Sequence, residues 1–129
     1  MNTMKNCILL VDDEPAAAQL VQEILSESGV EVLMAPSAEK ALTILEGRTP
    51  DLVLVDVIMP GISGYEFVDI LRADDRWSSI PILLISGKTF PTSGQSQTGQ
   101  TANGFLKKPF SKKELFAAVG RFIQVDYSL

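Results

Sequence analysis

Residues Cys7–Asp12 read Cys-Ile-Leu-Leu-Val-Asp, an almost wholly apolar run that ends on a carboxylate. Leu52–Asp56 and Ile80–Ser86 repeat the pattern of an apolar run with a polar last residue. A strand that is buried on both faces has a continuous apolar run, whereas a strand with one wet face alternates apolar and polar residues. The three runs therefore predict a parallel sheet that is covered by helices on both sides.

Five strands and their connecting helices can be predicted along the chain. Val30–Ala35 and Gly104–Lys107 are the two further predicted strands. The predicted helix boundaries are Pro15, Gly29, Ser37, Gly47, Ser63, Arg72 and the capping box Ser111–Glu114. The predicted apolar face of the first helix is Leu20, Val21, Ile24 and Leu25. Alternating strands and helices predict a doubly wound α/β fold, which we expect to form one domain over residues 1–129.

The segment Lys88–Asn103 lacks the pattern of a crossover helix. Apart from Pro91, its apolar residues are Phe90 and Ala102, and the rest is rich in Thr, Ser, Gly and Gln. No buried face can be drawn on it, although two parallel strands need a connection of about a dozen residues. We therefore expect the fourth helix along the chain to be short or replaced by an irregular loop.

The composition is that of a soluble globular protein, since 46% of the 129 residues are hydrophobic and 21% are charged. The apolar run near the start is too short to cross a membrane or to act as a signal peptide. A single cysteine excludes an internal disulfide and fits a reducing compartment. We therefore expect a cytoplasmic protein without membrane contact.

The charge of the chain is unevenly distributed. The net charge of −5 argues against direct binding of nucleic acid. Residues 1–75 carry 14 acidic and 4 basic side chains, whereas residues 76–129 carry 2 acidic and 7 basic ones. This asymmetry fits either two differently charged solvated faces or an acidic metal site opposite a basic anion partner. The absence of histidine excludes histidine metal ligands, histidine acid–base chemistry and a phosphohistidine step within this chain.

Three aspartates stand at the ends of predicted strands. Asp12 and Asp13 end the first run, and Asp56 ends the third. Ligands of such sheets bind at the carboxyl ends of the strands, so the three carboxylates converge if the first and third strands are neighbours. Crowded carboxylates repel one another, and Mg²⁺ with its preference for oxygen ligands would relieve that repulsion. The alternative for Asp13 is a plain helix-capping role.

The second half of the chain supplies groups that suit a phosphoryl anion. Ser86 ends the fourth predicted strand with a hydroxyl donor, and Lys108 follows the fifth strand, just before Pro109. A residue before proline is kept out of the helical region, and a lysine ammonium pairs with phosphate as a point charge. Lys107 should point to the opposite side of the strand, into solvent.

Four motifs, in this order and spacing, resemble the receiver domain of two-component response regulators. They are Leu9-Leu-Val-Asp-Asp-Glu-Pro15, Asp56-Val-Ile-Met-Pro-Gly-Ile-Ser-Gly64, Ser86-Gly87 and Lys108-Pro-Phe110. The resemblance covers almost the whole chain. It implies a flavodoxin-like fold, a five-stranded parallel sheet of order 2-1-3-4-5.

The resemblance also implies a role for each site residue. The implied roles are phosphoacceptor for Asp56, Mg²⁺ ligands for Asp12, Asp13, Asp56 and the backbone carbonyl of Ile58, phosphoryl-oxygen contact for Ser86, ion pair for Lys108, and switch aromatic for Phe105. A plain core position is the alternative for Phe105. A cis peptide bond between Lys108 and Pro109 is implied as well.

The function that this resemblance implies is a phosphorylation-dependent switch, not an enzyme with a separate substrate. A sensor histidine kinase, a phosphotransfer protein or a small phosphodonor would supply the phosphoryl group, and the chain would catalyse only its own phosphorylation and dephosphorylation. The added charge would shift a two-state loop equilibrium toward a downstream partner that the sequence does not name. Ile58 and Lys88 flank the place where water would enter, and since isoleucine cannot orient water, we expect slow self-dephosphorylation.

Three other functions fit part of the pattern. A phosphatase of the haloacid-dehalogenase type needs an acidic residue two positions after its nucleophile, and because Ile58 stands there, this function is excluded. A flavodoxin-like FMN carrier needs a hydroxyl-rich phosphate loop after the first strand, where this chain has Asp-Asp-Glu-Pro. A receiver-like interaction module with output through Lys88–Asn103 stays open, because that segment departs from the usual helical output face.

Overall fold

The computed structural model describes residues 6–87 and 102–125, which form a three-layer α/β arrangement around one sheet. The strands are β1 (Cys7–Val11), β2 (Glu31–Ala35), β3 (Leu52–Asp56), β4 (Ile82–Ser86) and β5 (Gly104–Lys107). All pairings are parallel, and the order is β2-β1-β3-β4-β5. The predicted sheet and its strand order are confirmed. Strands β3 and β5 have their predicted bounds, and the other three are one or two residues shorter than predicted.

Four helices lie among the described residues, and three of them begin at a serine cap. The helices are α1 (Pro15–Ser26), α2 (Ala38–Gly47), α3 (Gly64–Arg72) and α4 (Lys112–Val119). Ser37, Ser63 and Ser111 each accept a hydrogen bond from the backbone N–H three residues on, and Glu66 and Glu114 complete capping boxes at the last two. Within the described residues, no helix combines the length and apolarity needed to cross a membrane.

The hydrophobic core has two halves, one on each face of the sheet, because successive strand residues point to opposite faces. Helices α2 and α3 cover one half, whose buried strand residues include Leu9, Val11, Val53, Val55, Ile82 and Leu84. Helices α1 and α4 cover the other half, whose buried strand residues are Ile8, Leu10, Leu52, Leu54, Leu83 and Ile85. Burial on both faces explains the continuous apolar runs of the sequence.

The predicted apolar face of α1 is wrong at one position. Leu20 is 58% exposed, whereas Val21 and Leu25 are buried and Ile24 is partly buried. Five residues along a helix correspond to a rotation of about 140°, so Leu20 points away from the side of α1 that Leu25 buries. Ala18 is buried on that side instead.

Most of the segment Lys88–Asn103 lies outside the described residues, and so does the expected irregular connection, which stays a prediction. The described part resumes at Ala102, and Asn103 is bonded three times just before β5. Its N–H donates to the carbonyl of Ile82 at 2.8 Å, and its Oδ1 accepts from the N–H of Ile82 and from Nη2 of Arg72, both at 2.8 Å. These bonds fix the start of β5 against β4 and the end of α3.

Candidate functional site

The carboxyl ends of β1 and β3 bring three carboxylates together. The two strands are neighbours in the sheet, Asp12 follows β1, and Asp56 is the last residue of β3. Carboxylate oxygens of Asp12, Asp13 and Asp56 all lie within 4.8 Å of one another. Asp12 and Asp56 are only 6% and 8% exposed. The structure therefore places the three predicted aspartates in one cluster at the ligand-binding edge of the sheet.

Backbone groups orient the two buried carboxylates. The N–H of Asp12 continues the strand pattern by donating to the carbonyl of Ala35 at 3.1 Å. Its side-chain Oδ1 accepts from the N–H of Glu14 at 3.0 Å. Oδ1 of Asp56 accepts in the same way from the N–H of Ile58 at 3.2 Å. One oxygen of each carboxylate is thus held by a backbone N–H, and the other oxygen, Oδ2, faces the ammonium of Lys108.

Lys108 reaches this cluster from the far side of β4. Its Nζ lies 3.1 Å from Oδ2 of Asp56 and 3.6 Å from Oδ2 of Asp12. Its own N–H donates to the carbonyl of Ser86 at 2.7 Å, and the peptide bond to Pro109 is cis, as predicted. One ammonium therefore contacts two of the three carboxylates.

Burial and charge shift the pKa values of this cluster. Burial raises the pKa of Asp12, and the nearby charge of Asp56 adds to this effect, although the N–H of Glu14 and the ammonium of Lys108 oppose it. Burial alone would lower the pKa of Lys108, but the hydrogen bond to Asp56 and the neighbouring carboxylate charges outweigh it and raise that pKa. Lys108 therefore stays charged at neutral pH.

The loop between β3 and α3 approaches the strand end more closely than a side chain would allow. The N–H of Gly64 donates to the carbonyl of Val57 at 2.9 Å. A Cβ on Gly64 would lie 2.4 Å from the backbone oxygen of Asp56 and 2.8 Å from Cα of Val57. The first residue of α3 is therefore seated directly on the backbone of Asp56, which fixes the loop that carries Ile58.

Two of the clustered aspartates, Asp13 and Asp56, line an open cleft of about 470 Å³ together with Lys108. Its lining residues are Asp13, Glu14, Asp56, Ile58, Gly87 and Lys108. Ile58 is 53% exposed at this cleft. Sequence reasoning did not assign a role to Glu14, and the available signal was its position directly after two strand-end aspartates.

The remaining predicted residues lie on β4 and β5. Ser86 is the last residue of β4 and is 3% exposed. Phe105 is 49% exposed on β5, so the alternative of a plain core aromatic is wrong, and its role in a switch stays a prediction. Lys107 is exposed, as predicted.

The donor set of the cluster fits a hard cation. Asp12, Asp13 and Asp56 offer oxygen atoms, which Mg²⁺ prefers, and the open side of the cleft leaves room for the waters that Mg²⁺ retains. One neighbouring ammonium, that of Lys108, balances part of the charge of the three carboxylates. The residues present therefore fit a magnesium site.

Comparison with known proteins agrees with this geometry. The family model described as the response regulator receiver domain matches residues 8–120. The DNA-binding response regulator MtrA of Mycolicibacterium smegmatis is 35% identical over 119 residues, which are 92% of this chain and 51% of MtrA. The chain thus spans about half the length of that relative.

Two solved structures share the fold over nearly the whole chain. The chemotaxis protein CheY4 of Vibrio cholerae has a TM-score of 0.85 and 31% identity, covering 93% of this chain and 100% of that one. The receiver domain of a sensor histidine kinase from Pseudomonas aeruginosa has a TM-score of 0.82 and 25% identity, covering 92% of this chain and 98% of that one. The latter structure has a magnesium ion coordinated in its active site cleft.

Proposed function

This chain belongs to the response regulator receiver domain family of two-component signalling, and we propose that Asp56 is the residue that accepts the phosphoryl group. The observation that carries the proposal is the position of the Asp56 carboxylate. It lies in the acidic cluster with Asp12 and Asp13 and also within 3.1 Å of the Lys108 ammonium. An acceptor needs this combination, because the group it receives is an anion that a cation must stabilise.

The transfer step would be a displacement at phosphorus. A carboxylate oxygen of Asp56 forms the new bond to phosphorus, the bond to the donor's leaving atom breaks, and the electron pair departs with that atom. Lys108 pairs with the phosphoryl oxygens and so offsets their negative charge. The hydrogen bond from the N–H of Ile58 holds the Asp56 carboxylate in one orientation. The chain thereby catalyses its own phosphorylation.

We propose that Asp12, Asp13 and Asp56, with the backbone carbonyl of Ile58, hold Mg²⁺. When bound, Mg²⁺ supplies positive charge to the transferred phosphoryl oxygens. Support comes from the closeness of the three carboxylates and from the magnesium ion in the active site cleft of the Pseudomonas aeruginosa relative.

The response to phosphorylation would pass through β4 and β5. A phosphoryl group adds a charge of roughly −1.5 to −2, and Ser86, at the end of β4, would donate its hydroxyl to a phosphoryl oxygen. Ser86 is already linked to Lys108 by a backbone hydrogen bond of 2.7 Å. Phe105 lies on the adjoining strand with half its surface exposed, so its side chain has space to change rotamer with the switch.

The absence of histidine from residues 1–129 indicates what kind of partner supplies the phosphoryl group. Because residues 1–129 contain no histidine, a phosphohistidine donor has to lie outside them, on a sensor kinase or a phosphotransfer protein. The signal would then pass to another domain or protein, as MtrA is a DNA-binding regulator of about twice this length. We propose that the described residues themselves relay the signal without binding nucleic acid, and that residues 1–129 form one receiver domain in the cytoplasm.

Phosphorylation with acetyl phosphate and Mg²⁺ tests this proposal. The wild-type chain should gain one hydroxylamine-labile phosphoryl group by mass spectrometry, and Asp56→Asn should gain none. Asp75→Asn, an exposed carboxylate change in the turn after α3, is the matched control and should behave as wild type. Equal labelling of wild type and Asp56→Asn would exclude Asp56 as the acceptor. The absence of label in the wild type would favour an interaction module.

A further inference from the structure

One carboxylate at the cleft has no part in the roles proposed so far. Glu14 is the N-cap residue of α1, yet its side chain makes no capping hydrogen bond with the described residues. Its backbone is engaged on both sides: the N–H donates to Oδ1 of Asp12 at 3.0 Å, and the carbonyl accepts from the N–H of Ala18 at 3.0 Å. The exposed residue lines the same cleft as Asp56, Ile58 and Lys108. Its charge adds, after the larger effects of Asp56 and Asp12, to the influences that raise the pKa of Lys108.

Among the described residues, those at the mouth of the cleft differ in their chemistry. Glu14 contributes a negative charge, and Ile58 contributes an apolar side chain that is 53% exposed. Gly87 contributes no side chain, and a Cβ placed there would lie 4.0 Å from Cβ of Lys108. Asp56 lies deeper, at 8% exposure. The leaving group of a donor stands opposite the attacking oxygen in an in-line displacement, so it departs toward this mouth.

We propose, on the basis of the function proposed above, that Glu14 is a specificity-determining residue that favours phosphodonors with a nitrogen leaving group over acyl phosphates. The charge of Glu14 acts on the donor without a direct hydrogen bond to it. The resulting preference is for a chemical class of donor, which the acceptor role of Asp56 alone does not provide.

The two classes of donor differ in the charge that reaches the mouth of the cleft. With phosphoramidate, the Asp56 oxygen bonds to phosphorus, the P–N bond breaks, and the electron pair stays on a nitrogen that already carries its protons and leaves as neutral ammonia. With acetyl phosphate, the P–O bond breaks, and the electron pair leaves on the oxygen of an acetate anion. Glu14 repels the developing acetate, whereas it attracts the protonated nitrogen of the other donor.

The ratio of phosphorylation rates with these two small donors tests the inference. Initial rates are measured for the whole chain with acetyl phosphate and with phosphoramidate, at saturating Mg²⁺ and low ionic strength. In Glu14→Gln the acetyl phosphate to phosphoramidate ratio should rise by roughly three- to tenfold, and the rise should shrink at ~0.5 M salt because screening weakens the repulsion. Glu14→Asp, which restores the charge, should return the ratio toward that of wild type.

Glu23→Gln is the matched control, because it removes the same charge from α1, the helix whose N-cap residue is Glu14. Glu23 is exposed and bonds to Gln19 at 3.3 Å, so its variant should keep the wild-type ratio. A Glu14→Gln ratio equal to that of Glu23→Gln would overturn the inference while leaving the acceptor role of Asp56 intact. A wild-type chain that neither donor labels would overturn the proposed function, and this inference with it.

Discussion

The ammonium of Lys108 lies 3.1 Å from Oδ2 of Asp56, although 52 residues separate the two along the chain. Asp56 ends β3, Lys108 follows β5, and β4 lies between these strands. The lysine therefore has to extend over the end of β4, and the bond from its N–H to the carbonyl of Ser86 holds its backbone there. The pairing thus depends on the strand order of the sheet and not on local sequence.

Lys108→Met should slow phosphorylation by about 100-fold, because the transition state loses a cation that contacts its oxygens. Methionine keeps most of the apolar stem, so the fold should be retained. The measurement is the initial rate of hydroxylamine-labile labelling with acetyl phosphate and Mg²⁺. Lys107→Met is the control, because the side chain of Lys107 is exposed. This variant should be labelled at the wild-type rate. Similar rates in the two variants would contradict the role of Lys108.

Ile58→Asn should shorten the lifetime of the phosphoryl group by about tenfold. Ile58 is 53% exposed at the cleft that contains Asp56, and an amide there can orient a water molecule that isoleucine cannot. The decay of label is followed after the donor has been removed. Ile58→Val keeps the wall apolar and should keep the slow decay. A wild-type lifetime of only seconds would count against the expected slow self-dephosphorylation.

Gly64→Ala should destabilise the protein by about 2 kcal/mol or more, because the new methyl group would meet the backbone of Asp56 at 2.4 Å. Gly47→Ala is a useful comparison, since among the described residues nothing lies within 4 Å of the place of its Cβ. That change should be neutral or stabilise by up to about 1 kcal/mol. Urea denaturation measures both, and equal stabilities of the two variants would show that the close approach does not occur in solution.

The sequence could predict the sheet and the acidic cluster because both depend on short runs. The apolar run of β3 ends at Asp56 in a sheet whose strands all point the same way, so the aspartate has to stand at the edge where β1 ends. The exposure of Leu20 was harder to predict, because Leu20 and Leu25 stand at opposite limits of the predicted apolar face, about 140° apart around the helix, and the sequence does not show which limit is buried. The role of Gly64 could not be predicted, since it depends on where the first turn of α3 meets the end of β3.

Asn103 joins three elements of the fold in a way that the sequence does not indicate. Its three hydrogen bonds join β4, α3 and the start of β5, and none of them follows a local pattern. Asn103→Ala should destabilise the protein by about 2 kcal/mol, because the N–H of Ile82 and the guanidinium of Arg72 lose their shared acceptor. Asn103→Asp keeps an acceptor oxygen and should retain most of the stability in urea denaturation. Equal losses in both variants would argue against the shared acceptor.

Mg²⁺ should stabilise the protein in the absence of any phosphodonor. The buried carboxylates of Asp12 and Asp56 lie beside Asp13 with one ammonium nearby, and a cation bound there stabilises only the folded state. At ten times the dissociation constant the gain should be about 1.4 kcal/mol, or a rise in Tm of about 5 °C, compared with NaCl at equal ionic strength.

Asp13→Asn provides the decisive comparison, because it removes one of the proposed ligands and leaves the two buried carboxylates in place. This variant should lose most of the Mg²⁺-dependent rise in Tm, while Asp75→Asn, a charge change in the exposed turn after α3, should keep it. Without Mg²⁺, Asp13→Asn should be at least as stable as wild type, since one source of repulsion is gone. A Mg²⁺ response of the same size in both variants would place the ion elsewhere. Because no phosphoryl transfer is involved, the result tests the metal site independently of the acceptor role of Asp56.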